Sequence, residues 1–257
     1  SLIRGSHVRH SETLKGVRET LANECIPFEM VRRDQIHHLK RVDRRYQLVI
    51  SVGGDGTLLD CSHYVGKAPL MGVNSDPKRS VARFSACNLA TFPSLLKAYL
   101  KGSLKPSSVA RLEFSINGKK SHWPVLNDLL VTALSPAATS RYVLRVGNKA
   151  EEQMSSGVWI STAAGSTAAA LSAGGKMLWV LDRKFQFVVR EAYHRKFGPR
   201  RLLKGVLVPG EFLEVVSQMK DGRVFVDGPN LSVPFLMGDK LKVRLARQSL
   251  KIIGLRR

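Results

Sequence analysis

The stretch Tyr46-Gln47-Leu48-Val49-Ile50-Ser51-Val52 runs without a break into Gly53-Gly54-Asp55-Gly56-Thr57. The first seven residues form the short, largely apolar run of a strand buried in a parallel sheet. The three glycines that follow let the backbone turn tightly and approach a ligand closely. N–H groups freed by such a turn, together with the N-terminus of a following helix, can cradle a phosphate. The aspartate inside the turn repels phosphate, so it serves another purpose. It can accept a proton from a hydroxyl, or hold a metal ion that neutralises phosphate charge. The spacing is neither the P-loop nor the dinucleotide G-x-G-x-x-G pattern, and by itself it also reads as a plain strand–turn–helix corner.

The neighbouring segments extend this reading. Residues 11–25 predict a helix, with Ser11 as cap and Leu14, Val17 and Leu21 on one face. Ala68 to Asn74 predicts a second buried strand and Thr91 to Leu100 a helix. Strands alternating with helices argue for an open α/β sheet. After Lys101 the pattern changes. Val109–Asn117, Trp123–Ala133, Arg141–Val146, Gly157–Thr162, Phe212–Gln218, Arg223–Val226 and Lys240–Leu245 read as strands, punctuated by Asn117-Gly118 and Asp221-Gly222. The expected division is an N-terminal α/β domain over 1–100, completed by 236–257, and a β-rich domain over 101–235.

Composition narrows the function classes. The 257 residues carry 41 Lys and Arg against 20 Asp and Glu, a net charge of +21. Such a chain suits nucleic acid, an anionic membrane or a phosphate-rich ligand. No terminal tail accounts for the charge. Its densest stretch is 183–204, with Arg183, Lys184, Arg190, Arg195, Lys196, Arg200, Arg201 and Lys204 against Glu191. That stretch reads equally as a solvated face or as a phosphate-facing one, and Arg190, Arg195 and Arg200 are the candidates for contact with phosphates. His63 and His194 read as packing or surface residues. No aromatic-interleaved basic patch marks a nucleic-acid reader. No apolar run of 18 residues predicts a membrane span. Cys25, Cys61 and Cys87 lack metal-ligand spacing and fit a reducing compartment, cytoplasmic or organellar. The chain begins at Ser1, and no first strand is evident before Ser11.

Two further motifs carry chemistry. Asn127-Asp128 follows the run Trp123 to Leu126. Asn offers the donor and acceptor that adenine requires, and Asp can accept from a ribose diol, although the pair alone also reads as a turn. The segment Ser155 to Gly175 (SSGVWISTAAGSTAAALSAGG) leads a strand into small residues. Small side chains let a ligand lie on the backbone while Ser166, Thr167 and Ser172 supply hydroxyls, or they serve tight packing alone.

Taken together, the three motifs resemble the NAD kinase family. Gly53 to Thr57 matches its glycine loop, Asn127-Asp128 its Asn-Glu/Asp pair, and Ser161 to Gly175 its Ser-Thr-rich segment. Gly72-Val73-Asn74, Val226-Asp227-Gly228 and Gly238-Asp239 are weaker matches. The likeness covers residues 46–245, and its wording is closest to the NADH kinases of plants. The resemblance implies an N-terminal Rossmann-like α/β domain and a C-terminal β-sandwich domain, in the fold shared with diacylglycerol kinases, with the active site between them. It implies transfer of the γ-phosphoryl of ATP to the 2′-hydroxyl of the adenosine ribose in NADH or NAD⁺, with Mg²⁺ or another divalent ion, in a homodimer or homotetramer. Carried over, Asp55 is the catalytic base. Gly54, Gly56 and Thr57 belong to the phosphate-bearing loop. Asn127 faces adenine, Asp128 a ribose diol, Thr167 and Ala168 the adenosine, and Ser172 the nicotinamide side.

Departures from the pattern bear on specificity. Many members have Asp where this chain has Ser156, and Tyr where it has Ala169. A pocket without that carboxylate is expected to prefer the uncharged ring of NADH. After Asn74 the usual glycine-rich, aromatic-containing segment is replaced by Ser75-Asp76-Pro77-Lys78-Arg79, with Phe84 as the nearby aromatic. Two other readings stand beside this one: a lipid kinase sharing the glycine loop, and a basic nucleic-acid-binding protein on a degenerate kinase fold.

Overall fold

A computed structural model describes residues 2–38, 45–80, 82–193 and 202–255, which divide into two compact units, 1–108 with 250–257 and 109–249.

The first unit is the expected open α/β sheet. Its strands are Val49–Gly53 (β1), Leu70–Asn74 (β2), Ser85–Asn88 (β3), Ser107–Val109 (β4) and the last strand of the chain, Leu250–Ile253 (β17). β2 is central and fully buried. It runs parallel to β1 along one edge, and to β17 and then β3 along the other. Helices Leu2–Asn23 (α1) and Phe92–Leu100 (α3) cover the sheet through Val17, Leu21, Phe92 and Leu96, which meet Met71, Val73 and Ile253. Helix Asp55–Ser62 (α2) follows β1 directly, and its Leu58 lies against Gly72.

Helix α1 starts nine residues before the expected Ser11 cap. Tertiary bonds explain the extension of its polar first half. Ser6 and Arg9 both donate to the Asp76 carboxylate, and His10 Nδ1 lies 3.2 Å from Ser75 Oγ. The Arg9 guanidinium holds the Asp76 carboxyl below its ordinary range.

The second unit is a β-sandwich. Its strands are Leu112–Ile116 (β5), Lys119–Lys120 (β6), Asp128–Ala133 (β7), Ser140–Val146 (β8), Lys149–Ser155 (β9) and Val158–Thr162 (β10). There follow Phe185–Val189 (β11), Lys204–Leu207 (β12), Phe212–Ser217 (β13), Gly222–Val226 (β14), Leu231–Pro234 (β15) and Lys240–Leu245 (β16). They form two six-stranded sheets, ordered β12-β11-β10-β7-β14-β15 and β6-β5-β16-β13-β8-β9. Alternate residues interdigitate between the sheets: Leu129, Val131, Val158, Ile160, Phe185 and Phe187 from one, Leu112, Phe114, Tyr142, Leu213, Val215 and Val243 from the other.

Three expectations need correction. The strand read over 109–117 is two strands in different sheets, β4 and β5, broken at Ala110-Arg111. There Arg111 is buried and its Nε donates to the Gln248 carbonyl. The return to the first unit begins at Leu250 rather than 236, because β16 is paired on both sides within the sandwich. The basic stretch 183–204 is not one face, since β11 runs through it with all five residues buried. Arg195, Lys196, Arg200, Arg201 and His194 lie outside the described residues. His63 is buried at the end of α2.

Candidate active site

Each unit carries part of the candidate machinery. In the first, β1 ends at Gly53, Gly54 caps α2 and Asp55 is the first helical residue. A Cβ on Gly53 would stand 2.5 Å from Thr57 Oγ1, so the Thr57 side chain folds back over a position that only glycine can occupy. The first intrahelical bonds are those of the Thr57 and Leu58 amides to the Gly54 carbonyl. The amides of Asp55 and Gly56 therefore belong to the open end of the helix, where N–H groups and the dipole favour an anion. A Cβ on Gly56 would meet only the end of Arg33, at 3.7 Å.

Asp55 is held from outside its own helix. The Arg83 amide donates to Oδ2 at 2.7 Å and the Phe84 amide to Oδ1 at 3.0 Å. Ala82, in the left-handed region at φ +41°, turns the chain so that these two amides follow one another. Phe84 itself is buried. The Arg83-Phe84 backbone thus orients the candidate base. The loop after β2 joins in, with the Ser75 amide donating to the Gly53 carbonyl at 3.3 Å and Asn74 Oδ1 accepting from the Asp76 amide.

In the second unit, Asn127-Asp128 sits where the chain enters β7. One carboxylate clamps this turn. Asp227, at the end of β14, accepts from the amides of Leu126 at 2.8 Å, Asn127 at 2.6 Å and Asp128 at 2.9 Å, and its own amide donates to the Asp128 carbonyl. The opposite side is held by Thr162, whose amide donates to the Asn127 carbonyl and whose hydroxyl donates to the Leu126 carbonyl at 2.6 Å. Gly165 presses on the same backbone, so closely that a Cβ there would lie 2.1 Å from the Asn127 carbonyl oxygen. Asn127 stays half-buried, whereas Asp128 is buried. Burial, followed by the charge of Asp227, pushes the Asp128 carboxyl up to about 7.

Gly165 lies in a 3-10 turn over Ala164–Thr167, and a short helix follows over Ala169–Ser172 (α4). Thr167 and Ala168 are half-buried one turn beyond the Asn127 contact, and Ser172 is exposed. The structure therefore gathers Asn127, Asp128, Thr162, Gly165 and Asp227 tightly, with Thr167 and Ala168 next to them and Ser172 further out. Sequence reasoning missed the clamping roles of Asp227 and Thr162. The available signal for Asp227 was its place in an Asp-Gly dipeptide at a strand end, where it takes φ +49°. Arg190, a phosphate candidate, is half-buried. Its guanidinium lies 5.9 Å from the Trp159 ring centroid and 3.6 Å from the Glu191 carboxylate. Its amide donates to the Gly157 carbonyl and its carbonyl accepts from the Ser156 amide.

Among solved structures, the fold is shared with an NAD kinase from Archaeoglobus fulgidus in complex with ATP (TM-score 0.75, 21% identity, 95% of this chain and 90% of that one). It is shared also with yeast NADH kinase complexed with NADH (TM-score 0.70, 18% identity, 81% of this chain and 62% of that one). Residues 4–104 match the ATP-NAD kinase N-terminal domain. A probable NADH kinase of Oryza sativa subsp. japonica is 34% identical, across 95% of this chain and 81% of its own length. The NADH kinase of Arabidopsis thaliana is 31% identical, across 91% and 80%. The chain belongs to the NAD kinase family. No described helix is long and apolar enough to cross a membrane.

Proposed function

We propose that this enzyme transfers the γ-phosphoryl of ATP to the 2′-hydroxyl of the adenosine ribose of NADH and NAD⁺, with NADH preferred. One observation carries the chemical step: the Asp55 carboxylate is fixed by two backbone amides beside the open N-terminus of α2. A carboxylate so held is ready to take the proton of an attacking hydroxyl, while the amides beside it receive phosphate oxygens. Phosphoryl transfer needs mainly positioning and charge neutralisation, so few reacting side chains suffice. Asn127 and Asp128 read adenine and a ribose diol, and Thr167 and Ala168 border the adenosine.

A divalent ion bound with ATP would fit this reading as a companion of the phosphates rather than of a protein cage. Among the described residues no group of three or more His, Cys, Asp or Glu side chains gathers for a metal, and Asp55 is the carboxylate at the loop that would meet the ion. The ion supplies charge neutralisation on the transferring group. Ser156, in place of a carboxylate, supports the NADH preference. Self-association through the β-rich unit is part of the same proposal. Exposed Met177, Trp179 and Met237 offer apolar surface there, and sedimentation would read it.

The test is to incubate the purified chain with Mg-ATP and NADH or NAD⁺ and to assay NADPH or NADP⁺. Product formation by the wild type and silence of Asp55→Asn are expected. An active Asp55→Asn variant would remove Asp55 from the chemistry.

A further inference from the structure

The sheet that holds β7 and β10 has two faces. One enters the sandwich core through Leu129, Val131, Val158 and Ile160. On the other, Ser161 of β10 is in register with Asp128 of β7 on one side and with Gln186 of β11 on the other, so the three side chains form one row.

Around the Asp128 and Ser161 side chains, the neighbouring polar groups of Gln186, Thr162 and Ser166 are committed. Gln186 uses both ends of its amide on the Lys176 backbone, at 2.7 and 2.8 Å. The Thr162 hydroxyl donates to the Leu126 carbonyl and that of Ser166 to the Ala163 carbonyl. The Ser161 hydroxyl is fully buried and has no hydrogen-bond partner among the described residues. An orphaned buried hydroxyl costs about 1–3 kcal/mol, so its retention calls for a state in which it is satisfied. Its cross-strand neighbour is a carboxyl. Directly opposed Cβ atoms stand about 4.5–5.5 Å apart, a gap that a serine and an aspartate can close by rotamer change alone.

We propose that Ser161 is a positioning residue for Asp128, its hydroxyl donating to the Asp128 carboxylate when that carboxylate takes up the ribose diol of the dinucleotide. The inference rests on the reading of Asp128 given under the proposed function. A buried carboxyl raised to about 7 is partly protonated at neutral pH. A donor from Ser161 favours its ionised, accepting form and leaves the second oxygen for the diol.

The experiment uses the full chain and the variant Ser161→Ala. NADH binding is followed by nicotinamide fluorescence, and initial rates are measured with Mg-ATP. The Kd and KM for NADH are expected to rise about tenfold, kcat to stay within about twofold, and the melting temperature to stay level or rise, since an unsatisfied hydroxyl has been removed. In an Asp128→Ala background, which leaves no acceptor for the hydroxyl, the same substitution should leave the Kd unchanged. An unaltered Kd in Ser161→Ala overturns the inference. So does an equal loss in both backgrounds, or a weaker Kd accompanied by a lower melting temperature. An inactive wild type would overturn the functional reading and this inference with it, whereas an active wild type with an indifferent Ser161→Ala overturns this inference alone.

Discussion

Replacing Asp227 tests whether the Asn127-Asp128 turn is held in place or merely rests there. Three amides, of Leu126, Asn127 and Asp128, converge on this one carboxylate at 2.6–2.9 Å. Hydrogen bonds to a charged group contribute about 1.5–3 kcal/mol each, which for three sums to roughly 4–9 kcal/mol. Asp227 is half-buried, however, so water can replace part of what is lost. Its charge is also the second cause of the raised Asp128 carboxyl, and removing it relieves that repulsion. Both corrections act in the same direction, and about 2–4 kcal/mol remains for Asp227→Ala. Asp227→Asn keeps an acceptor oxygen and tolerates φ +49°, so about half of that loss is expected. Urea unfolding gives the stability change, and initial rates give the KM for NADH, which should rise in the order wild type, Asn, Ala. Since domains are stable by about 5–15 kcal/mol, the variants should remain folded. An Ala variant with wild-type unfolding midpoint and wild-type KM would show that the turn needs no clamp and would refute a holding role for Asp227.

Four other outcomes follow. Asp128 has a folded value of about 7 against an ordinary 3.8, so the folded chain binds this proton more tightly. The stability it contributes, at most about 4 kcal/mol, is full below pH 4 and is lost as pH rises through 7; urea midpoints should fall from pH 5 to 8 in the wild type and stay flatter in Asp128→Asn. Gly56→Ala has room for its methyl and should keep the wild-type melting temperature while raising the KM for ATP. Gly165→Ala would drive a Cβ to 2.1 Å from the Asn127 carbonyl oxygen and should lower stability by several kcal/mol, of order 2–4, in thermal or urea unfolding. Ser156→Asp should reduce the ratio of kcat/KM for NADH over NAD⁺, and an unchanged ratio would detach that position from ring selection.

The parts of the fold legible in the sequence are those whose signal is local. β8, β13 and β16 alternate buried and exposed residues, and their period of two shows directly. β11 escaped because its run Phe185–Val189 lies between Arg183-Lys184 and Arg190, so the charges masked a buried strand. β9 escaped for the opposite reason. Lys149–Ser155 is a polar edge strand, and its pairing with β8 replaces the hydrophobic signal that a reader looks for. The first half of α1 was unreadable because Asp76, some 67 residues away, fixes it. At the candidate site the glycine loop was legible, since glycines and an aspartate after a strand declare themselves. The amides that aim Asp55 come from 28 and 29 residues downstream, and the carboxylate under Asn127 comes from 100 residues downstream. No local pattern announces either.

The small-residue segment shows how two readings of one motif divide along the chain. Its small side chains suggested either a surface for a ligand or tight packing, and each holds for a different stretch. Ala163, Ala164, Gly165 and Ser166 are buried, and Gly165 is small because the Asn127 backbone occupies the place of its side chain. These residues are therefore structural, and enlarging them should move Asn127 before it touches any ligand. Thr167, Ala168 and Ala169 are half-buried and Ser172 is exposed, so only from Thr167 onward does the segment offer surface to a substrate. The site's tolerance to substitution should change sharply between Ser166 and Thr167: stability is at stake on the first side, and dinucleotide affinity on the second.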